Sequence, residues 1–280
     1  MRLTHLRVLR LTSYAIYWHS RPVRGVAHCG TSQKAETSGV RAASEPIPVI
    51  IMSKLLTTAP RIYLGTMTFG WNQASLKVDD AVARAMVERF VALGGRHVDT
   101  ARIYSAGDCE PIVGRAIKGM EGIILGTKAA PSQPGGLSTE GIQRQLDASF
   151  AAMGIEAVDE YYLHQPDTES ALLESLRKTH ELVSAGRVRK LGLSNFHADE
   201  VARCFALCEE HGLTKPAVYQ GLYNPLNRMV EAELLPLLRK HGCSFVAYNP
   251  LGAGMLTGRH IRGSEPPAGR FKDNPNYIPR

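Results

Sequence analysis

A carboxylate, a phenol, an amine and an imidazole recur in this chain at spacings that could build one acid–base centre. Asp99 and Tyr104 lie in the run Gly94-Gly-Arg-His-Val-Asp-Thr-Ala-Arg-Ile-Tyr104. Lys128 closes Ile123-Ile-Leu-Gly-Thr-Lys128, and His164 closes Val158-Asp-Glu-Tyr-Tyr-Leu-His164. Each of these apolar runs reads as a short buried strand, so the four groups collect at successive strand ends. Free tyrosine titrates near ~10, so a phenol that gives up a proton near neutral pH needs a cation beside it. Lys128 is the expected cation, lowering the phenol's pKa, with Asp99 holding the lysine charged and in place. His164 could orient a carbonyl oxygen by hydrogen bond. Such a centre protonates an oxygen as hydride reaches carbon, and the hydride must come from a cofactor. Singly, each residue has a plainer reading: a strand-end lysine as surface charge, a tyrosine as packing.

The next strand ends carry groups suited to binding. Ser194-Asn195 and Gln220 offer hydroxyl and amide groups that could hold a nicotinamide carboxamide, although Ser194-Asn195 could equally cap the helix that follows. Tyr248 could stack on a flat ring. The run Asn249-Pro250-Leu251-Gly252-Ala253-Gly254-Met255-Leu256-Thr257-Gly258-Arg259 offers glycine-exposed backbone N–H groups that could cradle a pyrophosphate.

These residues need a scaffold that brings strand ends to one face. From Arg61 onward strands and helices alternate. Strands are expected at 62–64, 97–99, 123–128, 158–163, 188–194, 217–220 and 245–248. Helices are expected from Asp79 or Asp80 (with Val82, Met86, Phe90 and Leu93 on one buried face), over 110–118, from Ser138 or Thr139 to Gly154, from Asp167 or Thr168 to Gly186, over 198–211 and over 230–241. Residues 249–280, rich in Gly, Pro and Arg, read as loop. The polar strand ends, Met67, Asp99, Lys128, His164, Ser194, Gln220 and Tyr248, recur every 26 to 36 residues, the length of one βα unit. That points to an α/β fold, a (β/α)8 TIM barrel with its site at the strand ends. A doubly wound sheet would show a Gly-x-Gly-x-x-Gly turn after its first strand, and none is present there. Seven strands are recognisable, which would leave the barrel open between its first and seventh.

The chain has 280 residues, 44% hydrophobic and 21% charged, with no apolar run near the roughly 18 residues of a membrane span. The formal charge of +7 is uneven. Residues 1–52 hold seven Lys/Arg against two Glu, whereas the remaining 228 hold 26 basic and 24 acidic groups. The body is nearly balanced, which argues against nucleic acid as a partner. Residues 1–52 lack a clean period and are rich in Arg, Ser and Thr. They read either as a mitochondrial transit peptide or as sequence upstream of a true start at Met52. In both readings they are excluded from the fold, and 53–280 form the barrel. Five scattered cysteines, Cys29, Cys109, Cys204, Cys208 and Cys243, suit a reducing compartment. Cys204 and Cys208, four apart on a helix, read as core thiols rather than metal ligands, so no metal is expected.

Six motifs in order carry a resemblance: Asp99-Thr-Ala-x-x-Tyr104, Gly126-Thr-Lys128, Tyr162-Leu-His-x-Pro-Asp167, Gly192-Leu-Ser-Asn195, Tyr219-Gln-Gly-x-Tyr-Asn224 and Tyr248-Asn-Pro-Leu251. From about Arg61 to Phe271 the chain resembles the aldo-keto reductase superfamily, nearest its aflatoxin aldehyde reductase branch. The resemblance implies reduction of aldehydes and dicarbonyls with NADPH in the cytoplasm, or in mitochondria if the leader is a transit peptide. It implies Tyr104 as general acid with Asp99, Lys128 and His164 completing a tetrad. It places Ser194, Asn195 and Gln220 on the nicotinamide, Asn249 to Arg259 and Arg270 along the cofactor, and Met67 near it through backbone. It places Trp71 and Tyr223 with His164 at the substrate mouth, and it leaves room for a homodimer. Members of the superfamily continue past the point matching Arg280 with an eighth strand and a segment gripping the adenosine 2′-phosphate. From that, this chain is expected to leave strand edges unpaired and to bind NADPH weakly. Two rivals share the scaffold: a non-catalytic cofactor-binding protein like the potassium-channel β-subunits, and an aldolase forming a Schiff base on Lys128.

Overall fold

The computed structural model describes residues 14–18, 60–71 and 77–260. Seven strands run parallel in chain order: β2 (Arg61–Gly65), β3 (His97–Asp99), β4 (Ile124–Ala129), β5 (Val158–Leu163), β6 (Val188–Ser194), β7 (Val218–Leu222) and β8 (Ser244–Tyr248). Helices α1 (Asp80–Ala92), α2 (Cys109–Ile117), α3 (Thr139–Met153), α4 (Leu172–Ser184), α5 (Ala198–Glu210) and α6 (Leu234–Lys240) alternate with them, as the sequence spacing requires. Buried side chains from strands and helices form one continuous apolar cluster. A smaller cluster, Tyr63, Tyr162, Val218 and Val246, fills the barrel's interior.

One expectation is corrected here. A further strand, β1 (Tyr14–Trp18), comes from the stretch excluded from the fold. It runs antiparallel to both edges, pairing Tyr14 with Leu64 and Tyr17 with Arg61 on β2, and Ile16 with Ala247 and Trp18 with Phe245 on β8. The barrel is thereby closed, and the argument for unpaired edges loses its basis. Alternation and composition gave no reason to draw β1 in. Its pairing depends on two edges that adjoin only once the rest of the barrel has curled. Of residues 1–52, all but 14–18 lie outside the described residues, as do 261–280.

Local chemistry settles the helix starts. The Asp79 carboxylate accepts the Val82 N–H at 3.0 Å and caps α1, and the Ser138 hydroxyl accepts the Gly141 N–H at 3.1 Å and caps α3. Helix α4 begins at Leu172, later than expected, because the Asp167 carboxylate is occupied elsewhere, accepting Leu137 N–H at 2.7 Å and Glu169 N–H at 3.0 Å. The expected helix 230–241 is broken into a 3-10 turn, Met229–Glu231, and the short α6. Leu93 is 64% exposed, since α1 ends at Ala92 and Gly94 turns the chain at φ 89°. Gly95 is needed for another reason: a Cβ there would stand 2.3 Å from the Phe90 ring. Cys204 and Cys208 are buried in α5, and burial pushes their thiols up to about 12 and about 11, as befits core groups. Among the described residues no helix is long and apolar enough to cross a membrane.

Candidate active site

At the C-terminal end of β4, the Lys128 side chain is fully buried. An ammonium has three donors and must place them. One goes to Asp99 Oδ1 on β3 at 2.7 Å and one to the Thr100 carbonyl at 2.8 Å. The ring of Tyr104 lies close by, its centroid 5.1 Å from Nζ. Burial pulls the lysine's pKa down, but the charges of Asp99 and Tyr104 and the hydrogen bond to Asp99 lift it above the ordinary value. Lys128 therefore stays an ammonium.

Tyr104 behaves differently from the expectation. Burial pushes its phenol up to about 12, and the opposing pull of Lys128 does not overcome it. The sequence shows the cation but not the depth at which the phenol is held. A phenol that remains protonated is suited to donate, which is what a general acid must do.

The turn carrying Tyr104 is strained and clamped. Ser105, Ala106 and Gly107 take left-handed φ of 51°, 54° and 103° in succession, a costly run for residues with a Cβ. The Ser105 hydroxyl donates to the Phe69 carbonyl at 2.7 Å. Arg102 pairs with buried Glu110 and donates to the Gly107 carbonyl at 3.1 Å, and the Thr127 hydroxyl donates to Glu110 at 2.7 Å. This Arg102–Glu110–Thr127 clamp was not anticipated. Its only trace in the sequence is a carboxylate at the start of an amphipathic helix, which reads as ordinary N-terminal charge.

His164 meets the Tyr104 ring edge-on at 5.9 Å between centroids. Burial and the Lys128 charge push its pKa down to about 3, so it is neutral at ordinary pH and keeps one N–H to donate. Its Nδ1 is buried without a hydrogen-bond partner among the described residues.

The binding groups follow around the rim. Asn195 holds a left-handed φ of 61° and donates to the His164 carbonyl at 2.9 Å and to Ser194 Oγ at 3.0 Å. Its Oδ1 accepts the Tyr248 hydroxyl at 2.9 Å, so Tyr248 is tied to the amide row. Gln220 donates to Asp99 Oδ1 at 2.9 Å, across the barrel mouth. Beyond β8, Asn249, Gly252, Ala253, Gly254 and Gly258 take φ of 53°, 56°, 55°, 112° and 73°, giving a tight loop that reaches exposed Arg259. Within it the Gly252, Gly254 and Leu256 N–H groups donate to loop carbonyls at 2.9, 3.0 and 3.0 Å, which fixes the turn's shape. Met67 lies in the turn after β2, and Trp71 is half-buried nearby. Tyr223 packs edge-on against Phe245, and its hydroxyl donates to Glu231 at 2.7 Å, so its ring is fixed from behind. Arg270 lies outside the described residues.

The residues present fit a nicotinamide dinucleotide. The Asn195 amide is bonded to the His164 carbonyl and the Gln220 amide to Asp99, and the left-handed loop follows Tyr248 in the chain.

The chain is 38% identical to mouse aflatoxin B1 aldehyde reductase member 2 over 259 residues, covering 89% of this chain and 69% of that one. It is 38% identical to human aldo-keto reductase family 7 member A3 over 80% of this chain and 68% of the relative. Against human aflatoxin B1 aldehyde reductase member 2 the identity is 35% over 90% of this chain and 68% of the relative. With residues 61–277 matching the model of the Aldo/keto reductase family, the chain belongs to that family of oxidoreductases.

Proposed function

We propose that this protein reduces a small-molecule aldehyde or dicarbonyl to the alcohol, using NADPH. The observation that carries the reading is the Asp99–Lys128–Tyr104 array beside neutral His164 at one barrel mouth. A bound nicotinamide cofactor would supply the hydride. The protein's own part is positional and protic. His164 donates its N–H to the carbonyl oxygen and fixes it near the phenol. As charge grows on that oxygen, Tyr104 releases its proton to it, and Lys128 stabilises the phenolate left behind. Asp99 keeps Lys128 charged, and Gln220 keeps Asp99 in place. Ser194, Asn195 and Gln220 are assigned to the carboxamide, and Asn249 to Arg259 to the phosphates. The preference for NADPH and for aldehydes rests on likeness to the aldehyde reductases.

A Schiff-base aldolase is disfavoured, because a lysine held as ammonium by Asp99 is no nucleophile. The test is single-turnover oxidation of NADPH with an aromatic aldehyde. Tyr104→Phe should lower the rate roughly 10²–10⁴-fold while cofactor binding, read by fluorescence quenching, is retained. A variant that keeps most of its rate would remove Tyr104 from the mechanism.

A further inference from the structure

Beneath the reacting groups lies an aromatic side chain that the mechanism above leaves unused. Tyr162 on β5 pairs in register with Lys128 on β4 and Gly192 on β6. Its ring is fully buried, and Lys128 Nζ stands 5.4 Å from the ring centroid. Space for that ring has been left by two neighbours without side chains. A Cβ on Gly192 would stand 2.4 Å from Tyr162 Cδ1, and one on Gly126 would stand 3.4 Å from Cε2. The far end of the ring is held as well. Its hydroxyl donates to Glu160 Oε2 at 2.7 Å, and Glu160 Oε1 accepts the Tyr63 hydroxyl at 3.2 Å from across the barrel.

We propose that Tyr162 is a positioning residue for the reduction, its ring face forming a floor that holds Lys128 charged and aimed at Tyr104. This rests on the proposed function for its catalytic meaning. The geometry stands by itself: the ammonium donates to Asp99 and Thr100, and lies 5.1 Å from the Tyr104 ring centroid and 5.4 Å from that of Tyr162. A desolvated cation over a ring face is stabilised more than an exposed one. Glu160, accepting from the phenol, makes the ring more electron-rich. The groups facing Lys128 are Asp99 from β3, Tyr104 from the turn, Cys109 from α2, Tyr162 from β5 and His164 just beyond it. Lys190 stands 3.8 Å from Glu160, on the far side of the phenol.

The test replaces residue 162 by phenylalanine and by mono-, di- and trifluorophenylalanine, which keep the ring's size while draining its face. Two readouts are followed. The first is the alkaline limb of the pH–rate profile for carbonyl reduction. The second is the ¹³Cε resonance of Lys128, which reports its titration whether or not the protein turns over any substrate. With Tyr162→Phe both should stay within about 0.3 of a pH unit of the parent. Each added fluorine should move both to lower pH, reaching roughly one unit for the trifluoro ring. A loss of rate that is uniform across pH, with an unmoved lysine resonance, would reduce Tyr162 to packing and overturn the proposal. If no carbonyl compound is reduced, the proposed function fails, and the resonance still decides the role of Tyr162.

Discussion

The barrel buries polar groups at two levels, and the two levels treat charge in opposite ways. Near the mouth, Lys128 lies 2.7 Å from the Asp99 carboxylate and is held as an ion, its pKa lifted above the ordinary value. Two residues below Asp99 on β3 sits His97, and Glu160 on β5 pairs with Gly126, two residues below Lys128 on β4. Burial, reinforced by Arg61 and Lys190, pushes His97 down to about 4. Burial pushes Glu160 up, even though Tyr162, Lys190 and Tyr63 all act to lower it. At the lower level each group is driven toward its neutral form. The depth is similar, so burial alone does not distinguish them. What differs is the partner: an opposite charge within hydrogen-bond reach above, neutral phenols and a cation 3.8 Å away below. A site that needs a permanent cation must supply its counter-ion at contact distance.

The contrast breaks most severely if the upper pair loses one member. Lys128→Met leaves Asp99 buried with Gln220 and no cation. Stability should fall by about 3–5 kcal/mol in urea unfolding, and aldehyde reduction should fall at least as far as in Tyr104→Phe. A variant of unchanged stability would show that the pair is not desolvated as described.

Removing residues 1–51 takes away β1 and reopens both edges. The ladder bonds to β2 and β8 contribute ~0.5–1.5 kcal/mol each, so the thermal midpoint should drop clearly. Equal melts for the full and shortened chains would mean that β1 contributes nothing, and the upper and lower levels would then share an unsealed wall.

Acid titration sharpens the comparison. His97 has a folded pKa of about 4 and His164 of about 3, both below the ordinary 6.5. Between those values the unfolded chain binds protons that the folded chain refuses. Stability should therefore fall as pH drops from 6.5 toward 4. Glu160 acts in the opposite sense, because its raised pKa favours the folded state as protons are added. His97→Asn should flatten the decline in melting temperature below pH 6.5, and an unaltered slope would rule out His97 as a contributor.

The smallest effect is expected at Glu160. A carboxylate driven toward neutrality costs stability once pH exceeds its ordinary value, so Glu160→Gln should stabilise at pH 8, on the order of a few °C, and not at pH 4. Destabilisation at pH 8 would mean that the anion is needed where it stands.

Much of this was legible in the sequence. The βα spacing, the helix starts to within one residue at Asp79 or Asp80 and at Ser138 or Thr139, and the collection of Asp99, Tyr104, Lys128 and His164 near strand ends all follow from local pattern and from chemistry that each residue type carries with it. Strands β2 to β8 could be drawn because their apolar runs alternate with helical periods along the chain. What only the tertiary structure decided has one physical source, which is who stands next to whom after folding. Tyr104 is pushed up rather than down because the folded chain around its half-buried ring takes the phenol out of water. Gln220 reaches Asp99 although 121 residues separate them. Tyr162 lies against Lys128 because glycines on two other strands leave it room. Strand β1 joins the barrel because two distant edges, β2 and β8, face each other once the sheet has curled. Periodicity is written along the chain, whereas desolvation and long-range pairing are properties of neighbours the chain acquires only on folding.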